Sequence, residues 1–556
     1  MRRLLVAGAL VALLAGCSSI PSSGPIVKGD RVDVLQSDVN VRVIARPPVR
    51  GMDPESLVRG FLAASASVAD GDDTARMYLT PDASATWNPQ HLIDVYDITG
   101  LTVAADRNDV VRVTAPLLGT IDATRHYHVA DPGATISATL RLAQRDGQWR
   151  IDQAPPALFL SEGDVARSFR AHAVYFLDPT LHRLVPEFIM VPTVSQNIPT
   201  ALMDALLAGP ADTQALTTAI PTATMLVNGG DLPDYGVVTV PLSSDVLAAS
   251  GAQRTAMLAQ ITWTVTQLPA VGAVRIVVGG VPVQDAEGRS TFTTAEFPTF
   301  DPAQAATDRA LVFVGNHNVM TLRGGRRTTL ASAVRVADAS ASTDLTTVAA
   351  VSESHRVLVA LQGGRALTLA TGGDLAAPTV VADGSVWYLD REANAGGLLV
   401  WGATTGVRQV ATGLPKRARI LDYSLAPDGV RIALIVNDGA TTTLRVGSVV
   451  RHADGSLHLE GLTRVEQRLS SVSAVAWSST SSLAVLGSIG AVAVQPIAIS
   501  LPTGTLTLLG GPANPVTLTA APGRPVVVGD QTGQLWQLSG ARWTASELGT
   551  SPRYQF

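Results

Sequence analysis

The sequence predicts a multi-domain protein: an α+β region, then an α/β sandwich, then an all-β propeller of about six blades. Three observations predict it. The 556 residues, 46% hydrophobic and only 16% charged, suffice for several packed cores at about 150 residues per domain and exclude disorder over most of the chain. The apolar pattern changes along the chain, from helices followed by strands, to alternating helix and strand, to short strands and glycine-rich turns alone. Within that last stretch, turn anchors recur at Ser352, Ala382, Ala426, Trp477 and Ala521, spaced by 30, 44, 51 and 44 residues. Their mean, about 42, matches the ~40–45 residues of a four-stranded propeller blade.

Residues 1–16 read as a signal peptide. Arg2 and Arg3 supply the positive start, Leu4 to Leu14 the apolar core and Leu14-Ala15-Gly16-Cys17 a small-residue cleavage site. Those last four residues resemble the bacterial lipobox. The resemblance implies cleavage before Cys17 and lipidation of Cys17 by S-diacylglycerol and N-acyl chains, palmitate among them. The apolar run is shorter than the roughly 20 residues of a spanning helix; an ordinary signal peptide with a chance cysteine is the alternative. A single cysteine closes no intramolecular disulfide and builds no cysteine-based zinc site. Residues 17–50 then form a lipidated tether that opens on Ser18-Ser19-Ile20-Pro21-Ser22-Ser23-Gly24-Pro25, a stretch with nothing to bury.

The first globular region is expected over 51–165. Asp53-Pro54-Glu55 starts a helix with an acidic cap and proline in its first turn, and Leu57, Phe61, Leu62 and Ala64 make its apolar face. The polar turn Asp70-Gly71-Asp72-Asp73 leads to a second helix, Thr74 to Leu79. Strands follow at Leu101–Ala104, Val110–Thr114, His126–Val129, Thr135–Ala143 and Gln148–Asp152, with Asp146-Gly147 as the turn of the last hairpin. Helices before a curved antiparallel sheet resemble the NTF2-like fold.

The second region, 171–300, alternates. Val174–Leu177 reads as a strand, Pro199–Leu207 as a helix stopped by Gly209-Pro210, and Val237–Val240 as a strand. Met257, Ile261, Val265 and Leu268 recur at helical spacing before the strand Val274–Val278. The words Val174-Tyr175-Phe176-Leu177, Leu206-Leu207-Ala208-Gly209-Pro210, Thr218-Ala219-Ile220-Pro221 and Ala259-Gln260-Ile261-Thr262-Trp263-Thr264, in that order, resemble the GerMN domain.

The propeller is expected over 308–556. Leu425-Ala426-Pro427-Asp428-Gly429-Val430-Arg431-Ile432-Ala433 resembles the blade motif of TolB-type propellers; a two-sheet sandwich is the alternative. From Leu469 to Gly523 there are 55 residues without a charged side chain or histidine. Leu483 to Leu501 nevertheless reads as buried strands rather than a membrane helix: Val492 and Val494 alternate with alanines, Pro496 interrupts, and β-branched residues dominate.

The formal net charge of −5 and a basic complement of 39 arginines with only Lys28 and Lys416 as lysines exclude a phosphate-binding loop and argue against nucleic acid as a partner. There is no G-x-S-x-G elbow and no H-E-x-x-H helix, and the would-be calcium loop at Asp70 has Pro81 at its twelfth position. His126 and His128 could share a strand face and bind metal, but no third ligand is identifiable; they read as ordinary strand histidines. Arg323 to Arg327 and Lys416 to Arg419 read as solvated turns. No catalytic residue, cofactor or metal is therefore expected, although carboxylates converging across blades leave no motif.

Lipobox, tether, NTF2-like region, GerMN region and propeller, in that order, resemble the LpqB family of actinobacterial lipoproteins. The resemblance implies anchorage to the extracytoplasmic face of the cell membrane and a partner, the extracytoplasmic domain of the MtrB sensor histidine kinase, whose signalling to the response regulator MtrA and so cell-envelope homeostasis would be affected. A cell-wall polymer as ligand and, third, a propeller hydrolase are the alternatives.

Overall fold

The computed structural model describes residues 45–556 apart from 68–71, 90–91, 108, 196, 228–234, 304–308, 331–333, 364, 394–396, 440 and 453. The signal peptide, Cys17 and most of the tether lie outside the described residues, as do Asp70 and Gly71 of the first polar turn.

In the first module Asp53 caps the helix Pro54–Ser65, its carboxylate accepting from the Ser56 N–H at 2.9 Å. The helix buries the face read from its spacing, Leu57, Phe61, Leu62 and Ala64, together with Val58. It packs on a seven-stranded sheet. Five of the strands were foreseen: Thr102–Arg107, Val110–Ile121, Tyr127–Val129, Thr135–Arg145 and Gln148–Gln153. At the last turn Asp146 and Gly147 both take positive φ, 51° and 68°, as a two-residue hairpin requires. Two strands, Ile93–Tyr96 and Leu158–Ser161, left no alternating signal. They pair in parallel with each other, and Leu158–Ser161 is buried throughout, so alternation is lost. The expected helix Thr74–Leu79 is shorter, Asp73–Arg76. Tyr78 C=O accepts from Ile151 N–H, and Thr80 N–H donates to Ile151 C=O; the sheet captures the residues that would have extended the helix.

In the second module a hairpin, Phe169–Leu177 with Leu184–Pro192, and two helices, Ile198–Ala208 and Gly251–Val265, pack with the parallel strands Gly236–Pro241 and Val271–Val278. The four GerMN words converge. The buried Gln260 accepts from Ala219 N–H (3.1 Å) and Thr218 Oγ1 (3.2 Å). Thr264 Oγ1 accepts from Tyr175 N–H, Tyr175 meets Trp263 edge-on, and Leu177 bridges to Thr217. Leu206 joins the same core.

The third module holds six four-stranded antiparallel sheets among the described residues. Blades 2 to 6 begin with the innermost strands Val336–Ala341, Leu375–Val380, Arg419–Leu425, Leu469–Trp477 and Pro515–Thr519. Blade 1 is composite: Thr550–Tyr554, late in the sequence, pairs with Leu311–Gly315 and closes the ring, leaving no open seam between first and last blades. Four of the five turn anchors fall at or just after an innermost strand. Ser352 does not; it ends the second strand of blade 2, Thr347–Ser352. The turn in phase with the others is at 342–345, one strand earlier, so the short first interval was a phase error and not a short blade.

Leu483 to Leu501 is indeed strand, in Ser482–Ile489 and Gln495–Ser500, but Val492 and Val494 sit in the connecting turn and are exposed. The basic clusters also differ from simple solvated turns. Arg326 and Arg327 are exposed on the outer strand Arg326–Leu330, while Arg323 donates to Gln555 Oε1 and Thr343 C=O. Lys416 and Arg417 are in a turn, and Arg419 opens blade 4.

Candidate functional site

The three modules meet on blades 4 and 5. At the second module Val430 and Val450 of blade 4 join the apolar core built by the helices Ile198–Ala208 and Gly251–Val265. Around them Arg183 Nη1 reaches Asp428 C=O (3.4 Å) and Ser448 Oγ reaches Asp212 Oδ2 (3.4 Å). Gly429 is required there: it holds φ of +72°, and a Cβ would stand 3.0 Å from the Arg183 guanidinium. Beneath the contact Asp428 fixes its turn by accepting from Val430 N–H and Arg431 N–H, and Arg431 donates Nε back to it at 2.8 Å while lying over Trp477. The blade motif legible in the sequence is thus also the platform on which the second module sits.

The first module is held by Gln467 and Arg468. Gln467 Nε2 donates to Leu117 C=O at 2.7 Å. Arg468 donates to both oxygens of Glu162 (3.0 and 3.1 Å), to both of Glu466 (3.0 and 2.9 Å) and to Gly504 C=O. Burial opposes the arginine's charge, but the bonds to Glu466 and Glu162 outweigh it and raise its hold on the proton. Tyr127 packs on Gly504, where a Cβ would lie 3.1 Å from its ring; burial first, with the charges of Glu466 and Glu162, pushes its phenol up.

Residues from all six innermost strands, among them Ser340, Thr379, Tyr423, Val475, Thr519 and Arg553, line an axial pocket of about 60 Å³ that is partly open to solvent. Its wall is ordered by bonds that run from one blade to the next. Asp338 in blade 2 accepts from Ala377 N–H in blade 3, and Asp422 in blade 4 accepts from Val475 N–H in blade 5. Each aspartate directly follows a bulge in its strand, which re-aims the side chain toward the neighbouring blade. Tyr423 Oη donates back to Ala377 C=O, and Trp477 Nε1 to Ser424 C=O. Burial pushes the Asp422 carboxyl up, and the charge of Arg553 works against it.

His126 and His128 do not act together. His128 Nε2 is 2.7 Å from Asp122 Oδ2, while His126 Nδ1 is 2.8 Å from Thr124 Oγ1. Glu162, Glu466, Arg468, Asp212 and Arg183 were not singled out in the sequence. No spacing marks Glu162, Arg468, Asp212 or Arg183, because each has a partner in another module, and Glu466, whose partner Arg468 is two residues away, matters only because Arg468 also reaches Glu162.

Three family models match the chain: "Lipoprotein LpqB, N-terminal domain" over residues 47–166, "Sporulation and spore germination" over 173–284, and "Lipoprotein LpqB beta-propeller domain" over 308–554. "Lipoprotein LpqB" of Cutibacterium acnes is 31% identical over 546 residues, covering 92% of this chain and 90% of that protein. "Lipoprotein LpqB" of Thermobifida fusca is 26% identical over 615 residues, covering 98% and 97%. Among solved structures, TolB from Acinetobacter baumannii aligns at a TM-score of 0.35 and 15% identity, over 52% of this chain and 84% of that chain.

Proposed function

The chain belongs to the LpqB lipoprotein family, and from that premise we propose that it is a lipid-anchored accessory protein of the extracytoplasmic membrane face. In this reading it binds the outer domain of an MtrB-like sensor histidine kinase and shifts its signalling, and its role is binding without catalysis. Cys17 carries the anchor, because two or more acyl chains are needed for stable attachment.

One observation carries the choice of a protein partner. The second module leaves large apolar side chains exposed along the strand Gly236–Pro241 and near it: Val237 is 46% exposed and Tyr235, the residue before the strand, 69%. That strand lies at one edge of its three-stranded sheet. An exposed aromatic beside an edge strand suits a polypeptide surface. The joints on blades 4 and 5 support the same reading, since a partner engaged by the second module then acts on all three modules, and a membrane tether raises their effective concentration beside an integral partner. A roughly tenfold preference for one kinase conformation, about 1.4 kcal/mol, is enough to shift its population.

The test measures binding of the kinase outer domain to the full chain in detergent, and regulator phosphorylation in cells depleted of the protein. Binding is expected at tens of micromolar or tighter, on the order of −6 kcal/mol, weakened in the double variant Tyr235→Ser, Val237→Ser. Unchanged phosphorylation together with no binding in that range defeats the kinase reading. Pull-down of the chain by wall polymer would then favour the second reading.

A further inference from the structure

We propose that His452, His458 and Glu460 form a binding site for a divalent transition metal of the Zn²⁺ class at the tip of the outer hairpin of blade 4. The residues flank the turn between Thr442–Arg451 and Leu457–Arg464. His458 and Glu460 are two apart on one strand, so their side chains leave the same face. His458 is the register partner of Val450, and His452, two residues beyond Val450, returns to that face. One nitrogen from each imidazole and one Glu460 oxygen lie within 4.8 Å of one another. The two rings meet edge-on with centroids 4.2 Å apart.

Ligand atoms about 2.0–2.1 Å from a tetrahedral zinc stand roughly 3.3 Å from each other. The cluster therefore needs to contract by at most about 1.5 Å, a movement within reach of side-chain torsions on a fixed backbone. The backbone is braced. His452 N–H donates to Ser456 C=O, and Gly455 N–H to His452 C=O. Blade 3 grips the same hairpin: Ala411 exchanges bonds of 2.8 Å with Leu457 and Leu459, and Arg408 Nη1 donates to Gly455 C=O at 3.0 Å.

The donor chemistry narrows the ion. Two imidazoles and one carboxylate suit zinc and its neighbours rather than calcium or magnesium, which take oxygen ligands. Ser456 Oγ lies 3.1 Å from His458 Nε2 and helps to fix the orientation of that ring. Three protein ligands leave the fourth position to water, and the exposure of His452 provides an entry path.

The test uses the full chain in detergent, stripped with a chelator and titrated with Zn²⁺ by calorimetry, with Co²⁺ absorption to report the ligand set. One Zn²⁺ per chain is expected, bound at about micromolar or tighter. His452→Ala, His458→Ala and Glu460→Gln should each weaken it at least about tenfold. His128→Ala, a histidine already held by Asp122, should leave it unchanged. Melting without zinc, run on every variant, separates loss of a ligand from loss of the fold; His452, exposed on the turn, is the position least able to disturb it. Zinc binding that survives all three substitutions overturns the proposal, and so does binding no tighter than about millimolar.

Discussion

Arg553 and Asp338 hold each other across the seam where the propeller closes: Arg553 Nε lies 2.9 Å from Asp338 Oδ1 and Nη2 lies 2.9 Å from Oδ2. Arg553 belongs to the late strand that completes blade 1, and Asp338 to the innermost strand of blade 2. The planar fork matches the carboxylate edge, so the pair sets the angle between two blades as well as their distance. Burial opposes the charge of Arg553, but Asp338 outweighs it, and the charge of Asp422 in blade 4 adds to the hold.

Arg553→Met should therefore destabilise the propeller by about 3 kcal/mol, the low end of the cost of breaking a buried pair, because the arginine keeps 25% of its side-chain exposure. Denaturant unfolding of the full chain measures it. Adding Asp338→Asn should recover part of the loss, since it removes the stranded charge yet keeps an acceptor for Ala377 N–H. A double variant no more stable than Arg553→Met would show that the ion pair is not the cause.

Arg468→Ala should loosen the first module without unfolding the ring. Its forks to Glu162 and Glu466 are charge-assisted bonds whose net worth is roughly 2–3 kcal/mol together. Amide exchange is expected to quicken in Glu162–Ser168 and around Leu117, and to stay unchanged in blades 1 to 3. Arg468→Lys, which keeps the charge but not the fork, should fall between. Equal exchange in all three proteins would refute the assignment of this contact.

Asp530 provides a pH test. Its carboxylate accepts from Thr532 Oγ1 and N–H, Gln534 N–H and Trp536 Nε1. The Thr532 hydroxyl leads, burial opposes it, and the Trp536 indole and the backbone donors together tip the balance, holding the carboxyl down to about 2. A folded-state value below the unfolded ~3.9 means the stabilisation is present above about pH 4 and is lost as pH falls through about 2. The Trp536 indole N–H resonance should move with a midpoint near pH 2, and Asp530→Asn should abolish that movement. A midpoint near 4 would contradict it.

Cys17→Ala should move the chain from the detergent phase to the aqueous phase of a detergent extraction, or leave it as uncleaved precursor. Unchanged partitioning of a chain that has lost residues 1–16 would remove Cys17 from the role proposed for it.

The contrast between the blade motif and the joints shows what was legible. The Ala426-Pro427-Asp428-Gly429 turn, the helix cap at Asp53 and the hairpin at Asp146-Gly147 follow from bonds between residues a few positions apart, so spacing alone marks them. The four GerMN words were legible as words, but their common cause, the convergence on Gln260, Thr264 and Tyr175, was not.

By itself the sequence determined the class of each region and the strand-rich character of everything from Leu311 onward, because hydrophobic period and turn chemistry are local properties of a chain. Tertiary structure alone decided the rest. It set blade 2 in phase with the turn at 342–345 rather than at Ser352, because phase depends on which strand lines the axis. It brought Thr550–Tyr554 back to Leu311–Gly315, a pairing of residues more than 200 positions apart. It also placed Arg468 against Glu162 and His452 against His458, since a charge or an imidazole looks the same in sequence whether it faces water or a partner, and only the packed backbone selects which.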